Sequence, residues 1–376
     1  MKKTTAKQST LKMTFSFLLF SSIFGFTVVG NTQAQATETP TAVVQNVKTS
    51  TSKAHATFTT SVKSINQVVQ ADDYATAITQ GVNWINTQVA AEKLTGWDAL
   101  ALVRSSTGIT DAQKTQIQTN IETNYADPST QHQPTDYARD VIGLICVGAD
   151  PTNVNGQNLV QEAVTNGIAA DADVYAVTYG LIAATAAQSS GAGNVQTADL
   201  QIMVTNLLGM QNSETGYWTD QYGYTLDTTG MALQALALYL GNDDFNTNNR
   251  ITDAVNSATD VVTRIGDGGA LQDDGNFKDP FASDATTNSS SDAMLVAGLV
   301  ACGKNLSTAL STIPPLNALL SFQVLDGTDT GSFNWTAETT YDRQLSTQQA
   351  VYALDQYSYS VDNQGSIFDF ATNPIN

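Results

Sequence analysis

The sequence predicts an all-α protein, an (α/α)6 toroid in which six helical hairpins close into a ring. Three observations carry this. From Asp72 onward apolar residues recur at i, i+3, i+4 and i+7 in blocks separated by loops of Gly, Asn, Asp, Thr and Ser, which is the period of amphipathic helices. The blocks alternate between a small, nearly charge-free kind and a kind with a polar face. One unit, Gln211-Asn-Ser-Glu-Thr-Gly216-Tyr-Trp218 followed by Leu226-Asp-Thr-Thr-Gly-Met-Ala-Leu-Gln-Ala-Leu-Ala-Leu-Tyr-Leu-Gly241, recurs in degraded form along the chain.

In chain order, residues 1–36 read as a secretory signal peptide. Lys2, Lys3, Lys7 and Lys12 precede the apolar run Met13 to Gly30, and Ala34-Gln35-Ala36 has the spacing of a signal-peptidase site. A retained anchor is the rival, but serines and Gly25 interrupt the run and no basic stop-transfer cluster follows. No Cys sits near the cleavage point for a lipid, so a secreted or loosely surface-held protein is expected. Residues 37–71, rich in Thr and Ser and without a sustained helical period, read as a disordered spacer. The toroid occupies residues 72–376. Its inner helices are expected at Trp97 to Gly108, Thr135 to Gly148, Val174 to Gly191, Asp227 to Gly241, Ser291 to Gly303 and Ser346 to Tyr359. The outer partners are expected at Asp73 to Val89, Thr110 to Thr123, Leu159 to Asn166, Thr197 to Met210, Arg250 to Ile265 and Pro315 to Phe322. An open superhelical array of the same hairpins is the alternative. Trp84, Trp97, Trp218 and Trp335 fall at the turns, where they would plug gaps between hairpins.

Charge and composition narrow the partners. The net charge of -19 becomes -23 once the four leader lysines leave, and such a surface repels nucleic acid and anionic lipid. Cys146 and Cys302 are the only cysteines, open to a disulfide or to two buried thiols. His55 lies in the spacer, leaving His132 alone in the toroid, so no metal site and no cofactor is expected. Asp267 to Gly275 has some look of a calcium loop, but its acids miss the alternate spacing of an EF-hand, and a solvated turn is the expectation.

The Gln211 to Trp218 segment resembles the QW repeat of the squalene cyclase and prenyltransferase superfamily, and Gln323 with Gly331 to Trp335 is a looser copy. Gly96-Trp-Asp-Ala-Leu-Ala-Leu-Val-Arg104, Thr135-Asp-Tyr-Ala-Arg139 and Ala149-Asp-Pro-Thr-Asn-Val-Asn-Gly156 resemble one branch, exported bacterial surface proteins with transcobalamin-like toroids. The resemblance implies the fold and leaves activity open. Where protonating cyclases resemble one another in Asp-x-Asp-Asp, this chain reads Tyr224-Thr-Leu-Asp227; the zinc set of the prenyltransferases is missing after His132. Cys302-Gly-Lys-Asn lacks the Gln of a complement-type thioester.

What remains is binding at the mouth where the inner helices begin, because helix N-termini offer unpaired N–H groups there. The candidate residues are Asp98, Asp136, Tyr137, Tyr175, Tyr224, Asp227, Gln344 and Gln348. Their amide, hydroxyl, aromatic and isolated carboxylate groups suit a large polar ligand, a corrinoid or a glycan. Each of Asp98, Asp136 and Asp227 equally suits helix capping. The expected function is a monomeric, non-catalytic, extracellular ligand-binding protein with no catalytic residue. The alternatives are a carbohydrate-active enzyme on the same barrel, with Asp136 and Asp227 as its carboxylates and Tyr137 or Tyr224 as proton donor, and a protein-adhesion module.

Overall fold

A computed structural model describes residues 71–375 except residues 284 and 309; the expected leader and nearly all of the spacer lie outside the described residues. Twelve α-helices are present among them, with short 3-10 turns at Ala91–Lys93 and Thr247–Asn249 and no β-strand beyond isolated bridges. The outer helices are α1 (Ala71–Gln88), α3 (Asp111–Asn124), α5 (Leu159–Ile168), α7 (Thr197–Gly209), α9 (Arg250–Val262) and α11 (Pro315–Leu320). The inner ones are α2 (Gly96–Arg104), α4 (Pro134–Val147), α6 (Val174–Ser190), α8 (Leu226–Ala237), α10 (Ser289–Ala301) and α12 (Arg343–Val361). Each inner helix packs on the next, and α12 packs back on α2, so the ring is closed rather than an open array.

Sequence explains which helix goes inside. Helices α6 and α10 are buried along almost their whole length because neither face carries a charge beyond Asp292. Helix α3 buries only Ile117 and Ile121, the apolar edge of an otherwise polar cylinder. Close packing needs glycine at one inner contact: a Cβ on Gly230 or Gly298 would run into the facing backbone, so α8 and α10 approach until their main chains touch.

The Gln-Gly-aromatic unit is a junction. Gln211 Nε2 donates to Gly216 O at 2.8 Å and to Ala254 O, on the next outer helix, at 2.9 Å. Trp218 is fully buried, donating Nε1 to Leu207 O at 2.7 Å and its backbone N–H to Thr229 Oγ1 at 3.1 Å. The copy at Gln323 has the same wiring, to Gly331 O at 3.1 Å and to Ala77 O on α1 at 3.0 Å. Its aromatic member is Phe333, whose N–H binds Thr347 Oγ1 at 2.9 Å, and not Trp335, which lies beyond the junction beside Tyr341. A third hairpin repeats the last contact in a form the sequence hides: Phe277 N–H binds the Asp292 carboxylate at 2.9 Å.

Cys146 and Cys302 are both free thiols, and burial pushes each up to about 12. Asp267 to Gly275 is more than a solvated turn, since Ala270 and Leu271 anchor it with no exposed surface while Asp273 and Asp274 point outward. Among the described residues no helix is long and apolar enough to cross a membrane, and no group of three or more His, Cys, Asp or Glu could hold a metal ion.

Candidate functional site

The chain runs out along each outer helix and back along each inner one, so all outer-to-inner loops gather at one end of the ring. The three longest, residues 210–225, 263–288 and 321–342, follow one another there. Capping fixes the first turns. Thr95 Oγ1 accepts from Asp98 N while Asp98 Oδ2 accepts from Thr95 N at 2.8 Å, a reciprocal box at the start of α2. Asp173 caps α6 and Asp342 caps α12 in the same way, each accepting a backbone N–H.

Those caps aim side chains from several helices at the axis. Gln344 donates Nε2 to Asp98 Oδ2 at 2.9 Å, joining α12 to α2. Trp97, in the first turn of α2, and Tyr179, in the second turn of α6, meet at 5.3 Å between ring centroids although α2 and α6 are not neighbours in the ring, and so form an aromatic floor across it. Tyr352, one turn past Gln348, donates to Met294 Sδ at 2.7 Å and completes this floor from α12 and α10. Aromatic side chains thus meet across the interior of the ring near this end.

Asp227 stands on the wall of that mouth. It keeps part of its surface open, receives a hydrogen bond from Ser291, and has one oxygen, Oδ1, without a partner in the protein. Burial is the main reason its carboxyl is pushed up to about 6; Ser291 pulls it down, and the charges of Asp220 and Asp279 add to the rise. Asp98 also sits at about 6 through burial, against the lowering pull of Thr95 and Gln344. Tyr175 and Tyr179 are more than nine-tenths buried, and burial together with the charge of Asp227 holds both hydroxyls well above their ordinary pKa. Tyr224, on the same loop as Asp220, takes its backbone N–H to Asp220 Oδ1 at 2.8 Å.

The candidates thus fall into two groups. Asp98, Tyr175, Tyr224, Asp227 and Gln344 gather around the mouth, with Gln348 buried one turn deeper on the Gln344 face and its Oε1 unpartnered. Asp136 and Tyr137 begin α4 at the same end of the ring but are engaged by neighbours of their own. Asp136 is held by Arg139 at 2.9 Å and by Gln133 N, and Arg139 also clamps Asp140 at 2.7 Å. Tyr137 packs at 5.7 Å against His132, which stacks on Tyr125 at 4.2 Å. Both carboxylates of this cluster are held by Arg139, whereas Tyr125 OH and His132 Nε2 are buried in it without a hydrogen-bond partner. Tyr352, Ser291 and Asp220 were not among the candidates. Tyr352 was signalled by the i, i+4, i+8 series Gln344, Gln348, Tyr352; Ser291 and Asp220 carry no such mark.

No family model and no curated protein matches the sequence. Solved structures do. A possible member of the GH105 family from Salmonella enterica serovar Paratyphi A is similar over 79% of this chain and 96% of its own, with a TM-score of 0.52 at 8% identity. A type II terpene cyclase variant from Scytonema, in complex with geranylgeranyl dihydroxybenzoate, is similar over 77% of this chain and 98% of its own, with a TM-score of 0.50 at 12% identity. At such identities the likeness is one of fold alone, and with the closed ring of alternating helices it makes this chain an α/α toroid.

Proposed function

We propose that the protein is an extracellular glycan-binding protein whose site is the mouth of the toroid. The observation that carries the reading is the meeting of the Trp97 and Tyr179 rings across the toroid, with the unpartnered Asp227 Oδ1 on a neighbouring inner helix. Sugar rings present apolar faces and a rim of hydroxyls, and such walls satisfy both. The surrounding loops supply further platforms: Tyr222, Phe281 and Tyr341 are 51%, 55% and 53% exposed, one on each of the three long loops. Exposed rings in that number on a single end suit a ligand longer than one sugar.

A second reading, a carbohydrate-active enzyme, is favoured by Asp227, because a carboxyl titrating near 6 can be protonated or ionised at working pH and so could act as a general acid. The GH105 likeness is compatible with it. Both are tested by titrating the mature chain with an oligosaccharide panel and with hydroxocobalamin, following tryptophan fluorescence and, in parallel, product release. Saturable quenching by an oligosaccharide that disappears in Trp97→Ala is expected. Quenching by hydroxocobalamin alone would assign the mouth to a corrinoid, and turnover lost in Asp227→Asn would establish the enzyme.

A further inference from the structure

At the end of the ring opposite the mouth, where the inner helices finish, a buried cation has no anion beside it. Arg104, the last residue of α2, is 7% exposed and touches neutral groups. Its Nη1 donates to Asn373 O at 2.8 Å and to Tyr359 Oη at 3.4 Å, and the guanidinium lies over the Phe370 and Tyr359 rings at 4.3 and 5.6 Å. The other edge, the paired N–H groups of Nε and Nη2, is buried without a hydrogen-bond partner. Among the described residues Arg139, Arg264 and Arg343 form ion pairs, and Arg104 forms none. An arginine keeps its charge in a protein, and a buried charge left unpaired is costly. The rings and the carboxyl end of α2 offset part of that cost, but none of them accepts from the free edge.

One acid stands near. Asp355, 2% exposed on α12, lies one turn before Tyr359 and so on the face that meets Arg104, yet it makes no ion pair with Arg104 and its Oδ2 is likewise without a partner. We infer that a small monovalent anion of the chloride class is bound here, accepting from Arg104 Nε and Nη2 and from the carboxyl of Asp355. One negative charge balances the guanidinium, whereas a sulfate or phosphate would bring surplus charge and oxygens to a place walled by Phe370 and the buried Cys146. Burial, against the lowering pull of Arg104, holds the Asp355 carboxyl well above its ordinary range, and so favours the protonated form that can donate. In a chain of net charge -19 the surface as a whole repels anions, so a bound one is held by local donors and not by general attraction. The ion sits under the C-terminal segment: Asn373 and Phe370 cover Arg104, and Gln356, next to Asp355, grips the same segment through Gly365 O at 2.8 Å and Ile367 N at 3.0 Å. The site is separate from the mouth and independent of the glycan reading.

The test uses the purified chain in crystals and in solution. Crystals grown with sodium bromide and measured at the bromine edge are expected to show an anomalous peak within hydrogen-bonding distance of Arg104 Nε and Nη2. In solution, replacing sodium gluconate with sodium chloride at constant ionic strength is expected to raise the melting temperature saturably, by roughly 2–4 °C, and Arg104→Met to abolish the difference. Because Arg104→Met also loses the bond to Asn373 and could fail to fold, Asp355→Asn is the second variant. Its amide donates as the acid does, so the chloride effect is expected to persist there. A chloride effect absent from the wild type and present in Asp355→Asn would make ionised Asp355 the counter-ion and overturn the assignment. Equal melting in the two salts with no bromide peak also overturns it. A bromide peak without chloride-dependent melting marks binding at crystal concentration only, and overturns it as well.

Discussion

Asp227 is the residue on which site and stability meet. Its pKa in the fold, about 6, stands above the ordinary 3.8, so the folded protein holds the proton more tightly than the unfolded chain. Stability is therefore greatest below the unfolded value and falls as pH rises from about 4 to about 6, after which the full cost of a buried charge remains. The groups facing it are Asp220 and Asp279 on the neighbouring loops, Ser291 and Asp292 on α10, Tyr175 and Tyr179 on α6, and Tyr352 on α12. Asp227→Asn removes the charge and is expected to stabilise the apo protein at pH 7 by up to about 3 kcal/mol, flattening that part of the pH profile. Denaturant melts at pH 4, 5, 6 and 7 measure it; an unchanged slope would show that Asp227 does not titrate with folding. At this scale the sequence revealed which carboxylates begin inner helices, because capping positions are local. It could not show that Arg139 would neutralise Asp136 while Asp227 would be left with acids for neighbours, since Asp220 comes round through the preceding loop and Asp279 lies on the next hairpin.

At the scale of the element, the Gln-Gly-aromatic junction does the work of a hinge pin. Gln211 and Gln323 each tie a loop carbonyl to the backbone of the following outer helix, so removing either amide leaves two carbonyls without a side-chain donor. Gln323→Ala is expected to cost about 1–3 kcal/mol, read as a lower urea midpoint at unchanged m-value. Trp218→Ala should cost about 3–5 kcal/mol through the cavity it opens, whereas Trp218→Phe should cost far less, since Phe333 fills the same position in the second copy. A Trp218→Phe variant as unstable as Trp218→Ala would mean that the Nε1 bond to Leu207, and not the packing, holds the junction. The helices were legible because their period is local and their caps are Thr, Asp and Asn. The junction copies were legible only where Gln and Gly survive; in the third hairpin the aromatic N–H rests on Asp292, and neither residue identity nor spacing announced it.

For the whole molecule, charge and closure act against each other. The chain carries a net charge of -19, like charges repel, and few of the acids among the described residues are held in ion pairs. Raising sodium chloride from about 0.01 M to about 0.15 M shortens the screening length from roughly 30 to roughly 8 Å, and a higher melting temperature is the expected result. A melting temperature indifferent to salt would show that the charges are already too far apart to matter. The alternation of buried and polar helices made the toroid readable from sequence, whereas its aromatic floor was not, because Trp97 and Tyr179 are brought together only by the ring's diameter.

The two ends of the folded chain are fastened together at both rims of the ring. On the mouth side Gln323 reaches Ala77 across 246 positions of sequence, and on the far side Arg104 donates to Asn373 O at 2.8 Å across 269, with its guanidinium over the Phe370 ring. Contacts so distant in sequence form late, because the loop they close must first give up its conformational freedom. A ribosome releasing this chain hairpin by hairpin cannot complete the circle until its last residues are free.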